Sequence, residues 1–297
     1  MNRKKIGFIS AALSLVLTAS ILSGCGKNAA GNSAGDTTAK AELSGSFTAL
    51  GSTALLPLAE QAAKTFTSKN PKVQINVQGG GSGAGLNQVY AGSAQIGMSD
   101  VTAEEKLKDE AKVKEVSDHK VCIIGFAVVT SKDITVDTLS KKQIQDIFTG
   151  KITNWKEVGG ADLPILVINR TASSGTRATF FNTVMDKTAE KEDLGTVQDS
   201  SGAVRTAIKA NKGSISYLAL SYLTDEVKGD FNLIKIDGVE PTKENIISKT
   251  YAFWSYEHMY TKGEATGAVK AFIEYMISDE NKSTVEKLGY IPMGDMK

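Results

Sequence analysis

Cysteine and histidine are scarce in this chain of 297 residues, with two of each. Neither histidine stands in a metal-ligand spacing or completes a Ser-His-Asp pattern. His119 lies in the polar turn Asp118-His119-Lys120, and His258 sits near an aromatic strand. Gly81-Ser82-Gly83 lacks the residue order of a nucleophile elbow, and Ser173-Ser174-Gly175 has no base paired with it. The sequence therefore offers no catalytic residue, no metal site and no cofactor. Charge of one sign is lacking too, since 34 Lys and Arg face 33 Asp and Glu. Nucleic acid, usually met by a strongly basic domain, is excluded as a partner. The longest apolar run, Ile6 to Ile21, is broken by Gly7, Ser10, Ser14, Thr18 and Ser20. It falls short of the roughly 20 apolar residues of a membrane span.

That run follows Met1-Asn2-Arg3-Lys4-Lys5 and precedes the small residues Ser23 and Gly24, so residues 1–24 read as an export signal. Its removal takes three cations from a formal charge of +1 and leaves −2. An anionic ligand must then be attracted locally. Leu22-Ser23-Gly24-Cys25 resembles the lipobox of bacterial lipoproteins. The resemblance implies that Cys25 takes a diacylglyceryl group and holds the protein at the outer face of the cytoplasmic membrane. Acyl burial there contributes about 0.8 kcal/mol per CH₂. Residues 25–41, rich in Gly, Ala, Asn, Ser, Thr and Lys, read as a flexible tether. Cys122 is then the remaining thiol, so no intrachain disulfide forms in the exported chain. In the apolar run Val121-Cys122-Ile123-Ile124 it reads as a buried structural cysteine. Stability must come from the core, for which roughly 255 residues suffice, arranged as two lobes rather than one.

Three strand-loop-helix units stand out. Ser46 to Leu50 reads as a strand, and Leu55, Leu58, Ala59, Ala62 and Phe66 recur at helical spacing. Val73, Ile75 and Val77 alternate as a strand before the glycines, and Leu86, Val89 and Tyr90 continue as a helix. Pro164 to Asn169 reads as a strand leading to Arg170, with a helix through Phe180, Phe181, Val184 and Met185. Between these units lie a strand from Ala94 to Ser99, a solvated helix over Ala103 to Val116, and a central strand over Val121 to Thr130. Further helices are expected around Leu139 to Phe148, Val204 to Ala210, Ala268 to Ile277 and Ser283 to Leu288, with strands at Ser214 to Leu218 and Tyr251 to Tyr260. Alternating strands and helices imply α/β layering around a largely parallel sheet.

Each unit's loop opens a helix, where unpaired N–H groups and the positive end of the dipole favour an anion. These loops are Gly51-Ser52-Thr53, Gly79 through Gly85, and Arg170 through Thr176. Gly79, Gly81 and Ala84, with Asp100 downstream, loosely match a dinucleotide fingerprint, but an export signal speaks against that chemistry. The third loop is more specific: Arg170 offers a planar fork of donors, Ser174 and Thr176 add hydroxyls, and Gly175 lets N–H groups converge. Ser174 also suits a plain helix cap. Asp100 is out of place beside a fully ionised anion. It suits a ligand that carries a proton, as monohydrogen phosphate does and sulfate does not; its other reading is an N-cap for the helix after Val101.

Together these segments resemble one family, the phosphate-binding lipoproteins that serve phosphate-specific ABC transporters. The likeness runs from about Gly45 to Pro292, through Gly51 to Pro57, Gly81 to Gly85, Ile96 to Asp100, Ile147 to Trp155 and Arg170 to Thr176. It implies a two-lobe periplasmic-binding-protein fold of the second type, with two crossovers and the ligand in the cleft between the lobes. Residues 42–125 plus 250–297 would form lobe I and residues 126–249 lobe II. The crossovers are expected near Ile124 to Val129 and Ile247 to Tyr251. The implied phosphate ligands are Thr53, Ala54, Leu55, Ser82, Asp100, Arg170, Ser174, Gly175 and Thr176. The first loop is the loosest placement, because Ser52 or Leu56 could fill a slot instead. Some members have an acid two positions after the arginine, where this chain has Ala172. The resemblance further implies a monomeric receptor that delivers phosphate to a membrane permease and its ATPase. A receptor for sulfate or molybdate, or an exported phosphatase, are the other readings.

Overall fold

The computed structural model describes residues 42–191, 193–224 and 228–296, and Glu42–Lys297 form one compact unit. The export signal, Cys25 and the tether lie outside the described residues.

Strand β1 (Gly45–Gly51) feeds helix α1 (Leu56–Lys69), which carries Pro57 in its first turn, where a missing N–H is no loss. β2 (Val73–Gly79) feeds α2 (Ser82–Tyr90), and β3 (Ile96–Ser99) follows. Helix α2 lies close on the sheet because Gly85 has no side chain; a Cβ there would stand 2.6 Å from the Leu50 carbonyl. The single helix expected over Ala103 to Val116 is instead two. α3 (Ala103–Leu107) ends at Lys108, which has φ 54°, and α4 (Glu110–Val113) restarts where Asp109 caps the Ala111 N–H. β4 (Val116–Ser131) is 16 residues long and buried from Val121 onward. β5 (Thr138–Leu139) and α5 (Lys141–Phe148) come next, the helix opened by a capping box of Ser140 and Gln143. The chain then runs β6 (Leu166–Arg170), α6 (Gly175–Thr183), β7 (Thr196–Gln198), α7 (Ser201–Ala210), β8 (Ser214–Ala219) and β9 (Phe231–Ile236). It closes with α8 (Lys243–Ile247), β10 (Trp254–Lys262), α9 (Gly267–Met276), α10 (Asp279–Lys287) and β11 (Tyr290–Ile291).

The strands form one connected path, β2-β1-β3-β10-β4-β8-β6-β7, with β9 and β11 also on β4 and β5 on β9. The pairs β1–β2, β1–β3, β6–β7 and β6–β8 are parallel, as strand-helix alternation dictates. The centre is not. β10 runs antiparallel to both β3 and β4, and β4 runs antiparallel to β8 and β9. The expectation of a largely parallel sheet therefore holds only on the flanks. Long β4 changes partners midway: Gly125 pairs with Trp254 of β10, and Phe126 pairs with Ala219 of β8.

Each half of the path has its own aromatic packing. Phe47 and Phe66 meet Phe272 with ring centroids 5.7 and 5.5 Å apart, joining β1 and α1 to α9. In the other half Phe180 stacks on Tyr217 at 4.2 Å and meets Phe148 at a tilt with centroids 4.8 Å apart, fixing α6 against β8 and α5. α6 is thereby held with its N-terminus toward β3 and the loop after it.

Candidate functional site

The three helix starts converge. In the first loop Ser52 Oγ accepts from the N–H groups of Ala54 and Leu55, at 3.0 and 3.1 Å. Those two amides are thus engaged by Ser52, and Thr53 is the residue whose side chain reaches across. Thr53 Oγ1 accepts from Arg170 Nη2 at 3.3 Å and from the Ser201 N–H at 3.2 Å. Its backbone is anchored too, with the Thr53 carbonyl accepting from Tyr222 and the Ala54 carbonyl from Ser221 and Tyr290.

At the second start Ser82 Oγ donates to Asp100 Oδ1 at 3.3 Å and accepts from the Asp100 N–H at 3.0 Å. At the third, Thr176 Oγ1 donates to the other carboxyl oxygen, Asp100 Oδ2, at 2.9 Å. Ser174 caps α6 by accepting from the Arg177 N–H at 3.1 Å, and its hydroxyl proton remains free to donate. Gly175 is required by closeness: a Cβ there would lie 2.1 Å from Ser82 Oγ and 2.8 Å from Asp100 Cγ. Lys106 Nζ completes the join, donating to the carbonyls of Ala172 and Ser174 at 2.9 Å each. Burial holds its pKa below the usual lysine value, against the pull of Asp100.

Asp100 does not cap α3, whose N-cap is Thr102. It is a buried carboxylate, 1% exposed, with two hydroxyls donating to it. Arg170, also 1% exposed, has no carboxylate among its hydrogen-bond partners in the described residues. It donates to Thr53 Oγ1, to the Asp199 carbonyl at 3.3 Å and weakly to Ser201 Oγ at 3.5 Å, and its Nε is buried without a partner. Burial lowers its pKa, while nearby Tyr217 and Asp100 oppose that shift. Ala172 leaves no acid in the loop to orient it, and Arg177 holds the backbone instead. Arg177 Nη1 donates to the Arg170 carbonyl at 2.8 Å while its Nε pairs at 2.5 Å with Glu190, which also accepts from Tyr217.

Of the residues singled out in the sequence, Thr53, Ser82, Asp100, Arg170, Ser174, Gly175 and Thr176 are buried and drawn together. Ala54 and Leu55 sit beneath them with their amides turned to Ser52. A fourth helix start went unread. α7 begins at Ser201, with Ser200 capping the Ala203 N–H, and Ser201 bonds both Thr53 and Arg170. The signal was present as Ser200-Ser201-Gly202, which echoes Ser173-Ser174-Gly175 at the end of a short strand. The histidines are elsewhere in the bonding: His258 Nδ1 meets Asp118 at 2.7 Å and His119 Nε2 meets Thr261 at 3.0 Å. Among the described residues no group of His, Cys, Asp and Glu is placed to hold a metal.

This arrangement gathers a guanidinium and several hydroxyls around one carboxylate, all shielded from water. Known proteins resemble the chain as a whole. The family model described as a PBP superfamily domain matches residues 36–280. The phosphate-binding protein PstS of Bacillus subtilis is 45% identical over 280 residues, covering 93% of this chain and 91% of that protein. Among solved structures, a phosphate ABC transporter substrate-binding protein from Clostridium perfringens with bound phosphate is 35% identical. It covers 84% of this chain and 100% of its own, with a TM-score of 0.76. An ABC-type phosphate transport receptor from Vibrio cholerae is 27% identical, covers 82% and 99%, and has a TM-score of 0.65. The chain belongs to the PBP superfamily and, within it, to the family of PstS phosphate-binding proteins.

Proposed function

We propose that this protein is an extracytoplasmic receptor that captures inorganic phosphate and delivers it to a membrane ABC permease and its ATPase. One observation carries the reading beyond the family name: buried Arg170, with no carboxylate bonded to it, shares a site with buried Asp100. A guanidinium in that state favours an oxyanion. The carboxylate beside it favours an oxyanion that still carries a proton. Monohydrogen phosphate satisfies both groups, whereas sulfate would face Asp100 with lone pairs alone.

In this reading Thr53, Ser82, Arg170, Ser174 and Thr176 donate through side chains and Gly175 through its N–H, and Asp100 accepts. Ser201 joins them. Ala54 and Leu55 serve through the Ser52 turn that sets Thr53. Residues 42–125 with 250–297 make lobe I and residues 126–249 make lobe II; the change of partner in β4 at Gly125 and Phe126 supports the first boundary. Phosphate then bridges the lobes and shifts an open-closed equilibrium toward closure. In this reading the receptor acts without chemistry, in keeping with imidazoles that are bonded to Asp118 and Thr261 rather than to a site hydroxyl, and it works as a monomer. Lipid at Cys25 would hold it at the outer membrane face.

Isothermal calorimetry on residues 42–297 tests the reading. Saturable, one-to-one phosphate binding is the expected result, and no heat of binding at millimolar phosphate would overturn it.

A further inference from the structure

Directly behind the site lies an acid that no part of the proposed binding uses. Glu257 of β10 is 0% exposed, and among the described residues no hydrogen bond of normal geometry reaches either carboxyl oxygen. Its position follows from register. His258 pairs with Ser99, so the preceding residue of the antiparallel strand falls beside Asp100. The ladder slips at this point, with Glu257 opposite Cys122 and His258 opposite Lys120, a bulge of the kind that re-aims side chains. Met259, the residue after His258, is fully buried as well, so the strand has no exposed face here.

We propose that Glu257 is a positioning residue that acts through Asp100 as a neutral acid, so that phosphate binds well only while Glu257 keeps its proton. The groups facing it make an ionised carboxylate there costly. Asp100 at the end of β3 repels a second charge, and the Ser52 hydroxyl is the other polar neighbour. From β4 and β11 come Cys122 and Tyr290, both buried and both pushed above their usual pKa, so both stay neutral, and neither side chain has a cationic form to offer. The neighbouring His258 ring is bonded to Asp118 and stacked at 5.6 Å on Tyr260. Burial is the main cause holding the Glu257 carboxyl well above the usual range, with the Asp100 charge second. A dianion bound beside Asp100 raises it further. Affinity is therefore full below the pKa of Glu257 in the free protein and is lost as pH rises through it toward the value in the complex. The loss is about tenfold for each unit by which bound phosphate raises that pKa.

This inference rests on the phosphate reading, and one experiment separates their failures. Phosphate affinity of residues 42–297 is measured calorimetrically from pH 6.5 to 9.5 in buffers of differing ionisation heat, for the native sequence and for Glu257→Gln. The glutamine matches the acid in shape and cannot titrate, and thermal melts establish that both chains are folded. Titration of free phosphate affects both profiles alike. The expected result is a native affinity that falls at alkaline pH with proton uptake on binding, and a Glu257→Gln profile from which that component is missing. Parallel profiles with equal proton uptake would overturn the role of Glu257. Absence of phosphate binding by the native chain at every pH would overturn the phosphate reading, and this inference with it.

Discussion

Asp100 sits 2.9 Å from Thr176 Oγ1 and 3.3 Å from Ser82 Oγ, and both hydroxyls point their protons at it. A carboxylate with two donors is stabilised as an anion, and it keeps lone pairs for one more donor. Asparagine in its place would present an amide that both donates and accepts. Asp100→Asn is therefore expected to bind sulfate measurably and to narrow the phosphate-to-sulfate preference by at least tenfold, read in competition calorimetry. An unchanged preference would remove Asp100 as the discriminating group. Most of these site residues were legible in the sequence because Ser, Gly, Thr and Arg cluster between periodic segments and have few structural alternatives there. Glu257 was not legible, because a lone acid in Trp254-Ser255-Tyr256-Glu257-His258 looks like the solvent-facing position of an alternating strand. Only the bulge and the burial of both faces show otherwise.

Among the elements, the three helix starts were readable from local pattern, while the way they are brought together was not. Strand pairing joins residues far apart in sequence, so the antiparallel placement of β10 between β3 and β4 leaves no local trace. Short strands such as β5, β7 and β11, of two or three residues, fall below any periodicity window. The apolar spacing marks α7 only from Val204, which hides the start at Ser201 that bonds Arg170. α3 adds a second charged tie between the β3 side and the Arg170 loop, beside the Thr176–Asp100 bond: Lys106 donates to two carbonyls of that loop. Lys106 is half-buried, so solvent screens these bonds and together they contribute about 1.4 kcal/mol. Lys106→Ala is expected to leave the fold intact, shown by an unaltered far-ultraviolet spectrum, and to weaken phosphate binding roughly tenfold. Stopped-flow measurement should place most of that loss in faster release. An unaltered release rate would mean that the Lys106 contacts do not hold the closed cleft.

For the whole molecule, formal charge gives no attraction for an anion, since the full chain carries +1 and the proposed removal of residues 1–24 with their three cations would leave −2. The site must do its own work with a buried arginine and converging hydroxyls. Membrane attachment is an equally separate matter, which the proposed reading assigns to Cys25 rather than to the folded unit of residues 42–297. Cys25→Ala is expected to move the protein from the membrane fraction to the medium or soluble extract while its phosphate affinity stays the same. Retention on the membrane would contradict lipidation at Cys25. The central claim, a site built for an oxyanion that keeps a proton, is tested most directly by titrating residues 42–297 with phosphate, arsenate and sulfate in competition. The account predicts that phosphate binds, that arsenate, which also carries a proton near neutral pH, displaces it, and that sulfate does so only at a large excess. Sulfate displacing phosphate at comparable concentration would contradict it.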